Sequence, residues 1–205
     1  MSANFFFVGQ TARDLPELVH EISRHHQTES HTWSHPNLRA LSPEAQRREI
    51  MDGRRAVEDL IGRPTRGFRA PMHHMNRDTV RILNEEGFVF DASRLYFRYD
   101  MGGVQELDPT WFREWMPLYE TLRVRPCAAF AWFRWLTMRR HLCVLPVHPQ
   151  YSGKNEELAA AFRWFLADAL QRGVQFWSIN DWLAETRGVP LPTEATATAG
   201  GAGTA

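Results

Sequence analysis

Short apolar runs alternate along this chain with segments whose apolar residues recur at helical spacing. The first run, residues 4–8, is rich in phenylalanine and ends at Gly9, which is typical of a buried strand. Leu18, Val19 and Ile22 then follow the helical period. The predicted strands cover residues 4–8, 28–31, 67–71, 88–92, 142–147 and 174–179. The predicted helices cover residues 14–25, 42–61, 76–86 and 158–170, and a last short helix begins near residue 181.

Several predicted helix boundaries carry local signals. Ser42 followed by Pro43 suits a helix start, because a serine side chain caps a helix and proline is tolerated in its first turn. Asn76 can cap the next helix in the same way. Gly62 and Gly87 are expected to end these two helices, since glycine readily takes the left-handed conformation that follows a helix.

Strands that alternate with helices predict an α/β fold, with a parallel sheet or a barrel. In such barrels the functional side chains gather at the carboxyl ends of the strands. Residues 94–140 interrupt the alternation with many aromatic side chains, and we interpret them as a long excursion with one or two short helices. We expect one domain over residues 1–190, followed by a disordered tail over residues 191–205 that is rich in Thr, Ala and Gly.

Composition narrows the classes of partner. The chain has 205 residues, which is enough for one domain with a substantial core. Lys plus Arg and Asp plus Glu number 24 each, so the chain is neutral and we expect no nucleic-acid partner. No apolar run approaches the roughly 18 residues that a membrane span needs. The first residues lack the pattern of a signal peptide, which predicts a cytoplasmic protein if Met1 is the genuine start.

Two histidines are candidate metal ligands. His31 and His35 stand four residues apart at the end of a predicted strand, and Pro36 disfavours helical geometry at His35. Two imidazoles at this spacing suit zinc or another divalent transition metal such as cobalt, which needs a third protein ligand and an open position for catalysis. Chance often produces the same spacing, so a structural role for both histidines is an equal alternative.

Two further polar residues stand at the ends of predicted strands. Arg69 can orient a carboxylate through a bidentate hydrogen bond, although a single arginine is more often a surface or ion-pair residue. His148 can act as a general acid, because imidazole holds a proton near neutral pH, but a hydrogen-bonded structural histidine is the commoner case. His73 and His74 follow the Arg69 turn, and we interpret them as solvated loop residues.

Taken together, the motifs point to one family. The chain resembles the polysaccharide deacetylase family, carbohydrate esterase family 4, over residues 3–183. The resemblance lies in the order and spacing of residues 5–9 (FFFVG), 30–37 (SHTWSHPN), 67–71 (GFRAP) and 145–149 (LPVHP). It implies a distorted (β/α) barrel that hydrolyses an acetamide or a related amide with the help of a metal. His31 and His35 would then be metal ligands. Arg69 would tune the catalytic base, and His148 would protonate the leaving amine.

The sequence departs from the family pattern in two ways. The family's first motif is a strand ending in paired aspartates, which supply the base and a third ligand, and no Asp-Asp pair occurs in this sequence. We therefore expect an N-terminally truncated barrel that lacks its first strand. The resemblance also implies substrate contacts at Pro71 and Met72, with a backbone N–H after Pro71 holding the oxyanion. Position 72 is often aromatic in chitin- and peptidoglycan-type members, so a methionine there leaves the sugar open.

The expected function is metal-dependent hydrolysis of carbon–nitrogen amide bonds, most directly deacetylation of an N-acetylated carbohydrate. An inactive remnant that binds carbohydrate or metal is one alternative. A cyclic-amide hydrolase of the same fold is another, and an unrelated α/β domain with coincidental histidines is the third. Without the paired aspartates, we expect weak zinc binding and little activity on acetylated sugars or cyclic amides.

Overall fold

The computed structural model describes residues 1–93, 100–107, 125–140, 142–149, 153 and 155–189. Its contacts divide the chain into two compact units, one formed by Met1–Leu107 with Phe176–Ala205 and the other by Asp108–Gln175. No helix in the described ranges is long and apolar enough to cross a membrane. The single domain over residues 1–190 stays a prediction, and the predicted tail lies outside the described residues.

The first unit is built on a parallel sheet. Within the described residues its strands pair in sequence order, each parallel to the next. The strands are β1 Asn4–Phe7, β2 Gln27–Ser30, β3 Gly67–Phe68, β4 Phe90–Asp91 and β5 Gln105–Glu106. Parallel neighbours require crossover connections, and helices lie in the connections between the first four strands. The predicted α/β class with a parallel sheet is confirmed.

Seven α-helices occur in the described ranges. They are α1 Gly9–Asp14, α2 Pro16–Ser23, α3 Pro43–Ile61, α4 Arg77–Glu85, α5 Pro126–Arg139, α6 Glu156–Gln171 and α7 Ile179–Arg187. The predicted helix signals are present: the Ser42 side chain accepts a hydrogen bond from Ala45 N, and Gly62 follows α3 with a φ of 67°. Asn76 and Thr79 form a reciprocal capping box at the start of α4.

Helices α3 and α4 bury their apolar faces against the sheet. Phe68 of β3, Ile50 of α3 and Leu83 of α4 are fully buried in one cluster. A second cluster joins Phe90 of β4 to Leu183 of α7. Removing such side chains from water is the main favourable term in folding, about 25 cal/mol per Å² of apolar surface. The strand ends that carry the polar residues are thereby fixed on a packed core.

Two predicted strands are wrong. Residues 142–148 have no regular secondary structure, and Leu145 packs against the aromatic core between α5 and α6. Residues 174–178 also have none, and Ile179 begins α7 with Ser178 as its N-cap. An apolar run indicates burial, but a strand also needs a neighbouring strand to pair with, which hydrophobic periodicity does not encode.

Three elements differ from the sequence prediction. Helix α1 has six residues, too short for a periodic apolar pattern, and it precedes the predicted helix over residues 14–25. Strand β5 and helix α5 fall within residues 94–140, which were predicted to be an excursion with short helices. Of that excursion, residues 94–99 and 108–124 lie outside the described residues.

Candidate functional site

The loops after β2 and β3 meet at one edge of the sheet. His31 directly follows β2, and its backbone N–H donates to Phe7 O at 2.9 Å. Arg69 directly follows β3, and its backbone N–H donates to Ser30 O at 3.3 Å. The carboxyl ends of parallel strands lie on the same edge, which is where functional side chains of such sheets collect. The structure therefore brings these two predicted site residues together.

The two histidines form a close pair. The ring centroids of His31 and His35 are 4.9 Å apart, with an angle of 69° between the planes. Zinc–nitrogen bonds of about 2.0–2.1 Å at tetrahedral angles require a similar separation, roughly 5 Å. His31 Nδ1 lies 2.6 Å from the carbonyl oxygen of Arg69. Because a carbonyl oxygen only accepts, Nδ1 carries a proton, and in the neutral ring Nε2 is then the nitrogen with the lone pair.

Both loops have strained backbones. Thr32, His35, Met72 and His73 have φ values of 65°, 62°, 53° and 57°. Across the described parts of the chain, these are the only non-glycine residues with positive φ. This conformation is unfavourable for residues with a Cβ, and it persists at functional sites when the surrounding structure imposes it. The concentration of positive φ values in these two loops is an independent reason to treat them as the candidate site.

The His31–His35 loop rests directly on two helices. The N–H of Gly9 donates to Thr32 O at 2.8 Å, and the N–H of Trp33 donates to the main-chain oxygen of Glu49 in α3 at 2.8 Å. A Cβ atom on Gly53 would lie 2.3 Å from the carbonyl carbon of Thr32, far inside contact distance. Glycine in the middle of α3 therefore lets the loop backbone lie against the helix. The sequence carried a signal for this contact, because a glycine inside a helical pattern often marks close packing.

Arg69 is held by a carbonyl and an aromatic ring. Its Nε donates to Ala92 O at 2.9 Å, and its guanidinium lies 4.6 Å from the centroid of the Phe6 ring. Burial raises the pKa of the nearby Asp91 carboxyl group, and the positive charge of Arg69 partly opposes that rise. Arg69 is therefore fixed at the sheet edge with a carboxyl group nearby. The prediction that it orients a catalytic base stays a prediction.

The predicted substrate contacts form the next turn. Pro71 is buried, whereas the Met72 side chain is 48% exposed. The two residues open the short turn Pro71–His73, in which Met72 has left-handed φ and ψ values of 53° and 15°. Met72 thus offers a backbone donor and an exposed side chain at the site edge.

The predicted general acid belongs to the second unit. His148 lies in the segment 142–148 without regular secondary structure, and it is half-buried. The expectation that His148 acts as general acid together with His31 and His35 stays a prediction.

A buried carboxyl group lies on β4, the strand that pairs with β3. It was not recognised from sequence as part of this region. Asp91 ends β4, and both of its oxygens are engaged: Oδ1 accepts from Ser93 Oγ at 2.8 Å and Oδ2 accepts from Ser93 N at 3.1 Å. Burial raises the pKa of Asp91 to about 6, against the lowering effect of hydrogen bonds from Ser93 and Glu106. The polar Asp-x-Ser pattern after a buried strand was the available signal.

The donor set fits a metal in part. Two neutral imidazole nitrogens suit zinc or a similar divalent ion. No group of three or more His, Cys, Asp or Glu side chains that could hold a metal ion occurs within the described ranges. The described residues therefore supply two candidate ligands, His31 and His35.

Comparisons with known proteins agree with the family resemblance found in the sequence. The model of the polysaccharide deacetylase family matches residues 1–90. Over 90 residues the chain is 27% identical to a peptidoglycan-N-acetylglucosamine deacetylase of Bacillus cereus, covering 43% of this chain and 33% of that protein. Over 87 residues it is 32% identical to a chitooligosaccharide deacetylase of Sinorhizobium fredii, covering 42% of this chain and 40% of that protein. The matches thus span two fifths or less of these relatives.

Structural similarity extends further along the chain. A solved Mycobacterium smegmatis structure, assigned to the polysaccharide deacetylases, superposes with a TM-score of 0.72 at 26% identity. The superposition covers 93% of this chain and 74% of that chain. The predicted fold, a distorted (β/α) barrel of the polysaccharide deacetylase type, is thereby confirmed. Residues 1–90 are thus similar in sequence to the polysaccharide deacetylase family, and the chain shares the fold of a structure assigned to that family.

Proposed function

We propose that this chain hydrolyses the carbon–nitrogen bond of an amide in a metal-dependent reaction, most directly removing an acetyl group from an N-acetylated carbohydrate. The observation that carries the proposal is the His31–His35 pair, with rings 4.9 Å apart and with Nδ1 of His31 engaged by the Arg69 carbonyl. The names of the relatives, deacetylases of peptidoglycan N-acetylglucosamine and of chitooligosaccharides, support the substrate class.

His31 and His35 would hold the metal, which is zinc or another divalent transition ion such as cobalt. Such an ion supplies Lewis-acid chemistry, lowering the pKa of bound water and polarising the amide carbonyl. The N–H of Met72 would donate to the developing oxyanion. Arg69 would orient a carboxylate base, although the Asp-Asp pair that supplies this base in the family does not occur in this sequence, and His148 would protonate the leaving nitrogen. The exposed Met72 side chain would contact the substrate beside Pro71.

A second candidate is binding of carbohydrate or metal without turnover. It is favoured by the donor set, because the described residues supply two ligands where a catalytic zinc site commonly has three. A cyclic amide is a further substrate class that the same fold and donor set would serve.

Acetate release tests the proposal. We expect slow release from N-acetylglucosamine oligomers in the presence of zinc or cobalt, and loss of that release in His31→Ala and His35→Ala. Two ligands bind zinc weakly, so the wild-type chain should need excess metal. His25→Ala is the matched control, because His25 is an exposed histidine that follows α2.

The outcomes separate the candidates. Weak metal binding that depends on His31 without acetate release would favour binding without turnover. Release of a ring-opened product from a cyclic amide, with none from the oligomers, would favour the cyclic substrate. Acetate release that is equal in the wild type and His31→Ala would overturn the proposed function.

A further inference from the structure

A single peptide group joins the two loops of the candidate site. The carbonyl of Arg69 accepts a hydrogen bond from His31 Nδ1 at 2.6 Å. The N–H of the same peptide group, which belongs to Ala70, donates to Ser93 Oγ at 2.7 Å. Ser93 Oγ donates in turn to Asp91 Oδ1 at 2.8 Å. In each of these three hydrogen bonds the donor is therefore on the side of His31 and the acceptor is on the side of Asp91.

The environment strengthens this chain of bonds. Asp91 and Ser93 are fully buried, and Ala70 is nearly so. In a low-dielectric interior, hydrogen bonds that point the same way polarise one another. Peptide resonance couples the two ends of the Arg69–Ala70 peptide group, so donation by its N–H makes its carbonyl a better acceptor. The carboxyl group of Asp91 thereby acts on the His31 ring across three bonds.

We propose that Ser93 and Asp91 are positioning residues for His31. Through the Arg69–Ala70 peptide group they hold the imidazole in the Nδ1–H tautomer, keep Nε2 unprotonated and make Nε2 a better ligand for a divalent metal. Metal-ligating histidines commonly have a carboxylate or carbonyl partner for the second nitrogen, and here a serine and a peptide group extend that partner to a buried carboxyl. The part of this inference that concerns metal rests on the proposed function, whereas the tautomer of His31 does not.

If Ser93 and Asp91 only held the ends of β3 and β4 together, replacing them would not change the tautomer of the His31 ring. The chain contains a matched example of a purely structural serine–aspartate pair at the start of α7. Ser178 is also fully buried, its Oγ donates to Asp181 Oδ2 at 2.6 Å, and it accepts from Asp181 N at 3.0 Å. Ser178→Ala therefore removes the same kinds of hydrogen bond as Ser93→Ala, from a buried serine on another element.

Nitrogen NMR of the metal-free chain with labelled histidines tests the tautomer. We expect the wild type to show His31 protonated at Nδ1, with a slowly exchanging proton. Ser93→Ala should speed exchange of that proton about tenfold, which corresponds to the loss of one net hydrogen bond. Asp91→Asn should shift the His31 nitrogen signals in the same direction by a smaller amount, and Ser178→Ala should leave them unchanged.

Cobalt titration followed by visible absorption provides the second readout. We expect Ser93→Ala to weaken cobalt binding about tenfold, the lower end of the usual effect of removing such a partner. Equal His31 signals in the wild type and Ser93→Ala, or equal changes in Ser93→Ala and Ser178→Ala, would overturn the inference. If Ser93→Ala does not fold, unchanged His31 signals in Asp91→Asn would overturn it. Failure of the wild type to bind cobalt would overturn the proposed function and the metal part of the inference, while the tautomer result would still decide the rest.

Discussion

Glu29 and His31 are two residues apart, yet they belong to opposite kinds of polar region. Glu29 is fully buried in β2, and its carboxyl group accepts hydrogen bonds from Arg66 N at 2.8 Å, Gly67 N at 2.7 Å and Asn180 Nδ2 at 2.9 Å. The His31–His35 loop instead has strained backbone, and His31 contacts the carbonyl of Arg69 through Nδ1. The hydrogen bonds around Glu29 stabilise the fold. In the His31–His35 loop, by contrast, the surrounding fold must hold the backbone in an unfavourable conformation.

The largest expected effect is on the Glu29 region. Glu29→Ala leaves the N–H groups of Arg66 and Gly67 without their acceptor, at a cost of about 1–3 kcal/mol each. We expect the free energy of unfolding to fall by about 4 kcal/mol, measured by urea denaturation. Glu49→Ala is the control, because the half-buried Glu49 carboxylate bonds Ser34 at the surface, and we expect it to cost about 1 kcal/mol or less. Equal losses in both variants would remove the distinction between the two regions.

The pH dependence of stability sharpens the comparison at Asp91. Burial raises the pKa of Asp91 to about 6 in the folded chain, from 3.8 in the absence of structure. A raised carboxyl pKa means that the folded state binds the proton more tightly. The stabilisation is fully present below pH 3.8 and is lost as the pH rises through about 6.

Between pH 4 and pH 7, wild-type stability should therefore fall relative to Asp91→Asn, by on the order of 3 kcal/mol. Urea denaturation across this range measures the difference, and titratable groups that do not interact with Asp91 cancel. Parallel pH profiles for the two proteins would contradict the raised pKa.

The smallest effect concerns backbone strain. Met72 has a φ of 53° and an exposed side chain, so glycine at this position should relieve strain at little loss of packing. We expect Met72→Gly to raise the free energy of unfolding by up to about 1 kcal/mol. Met138→Gly is the matched control, because Met138 is similarly exposed but lies in the last turn of helix α5 without a positive φ, so glycine there relieves no strain. A loss of stability in both variants would mean that the turn is not strained.

Local signals predicted much of this molecule. Ser42, Asn76 and Gly62 set the ends of α3 and α4 as expected, because caps act through neighbouring atoms. The candidate residues His31 and Arg69 were also correctly placed at strand ends, since the polar residue follows the apolar run directly.

Features that depend on contacts distant in sequence were not predicted. The Ser93–Ala70 hydrogen bond joins residues 23 positions apart, and no local pattern records it. The apolar run at 142–147 failed as a strand for the same reason, because pairing depends on a neighbour elsewhere in the chain. Periodicity reports which side chains are buried, and it leaves open what they are buried against.

The glycine at position 53 has a consequence for how this chain can evolve. Most positions of a helix accept several side chains. In the middle of a helix such as α3, alanine is more favourable than glycine by about 1 kcal/mol. At Gly53 this substitution is excluded, because the added Cβ atom would clash with the backbone of Thr32. A helix α3 with any larger residue at this position is therefore compatible only with a displaced histidine loop, so substitutions in these two segments depend on each other.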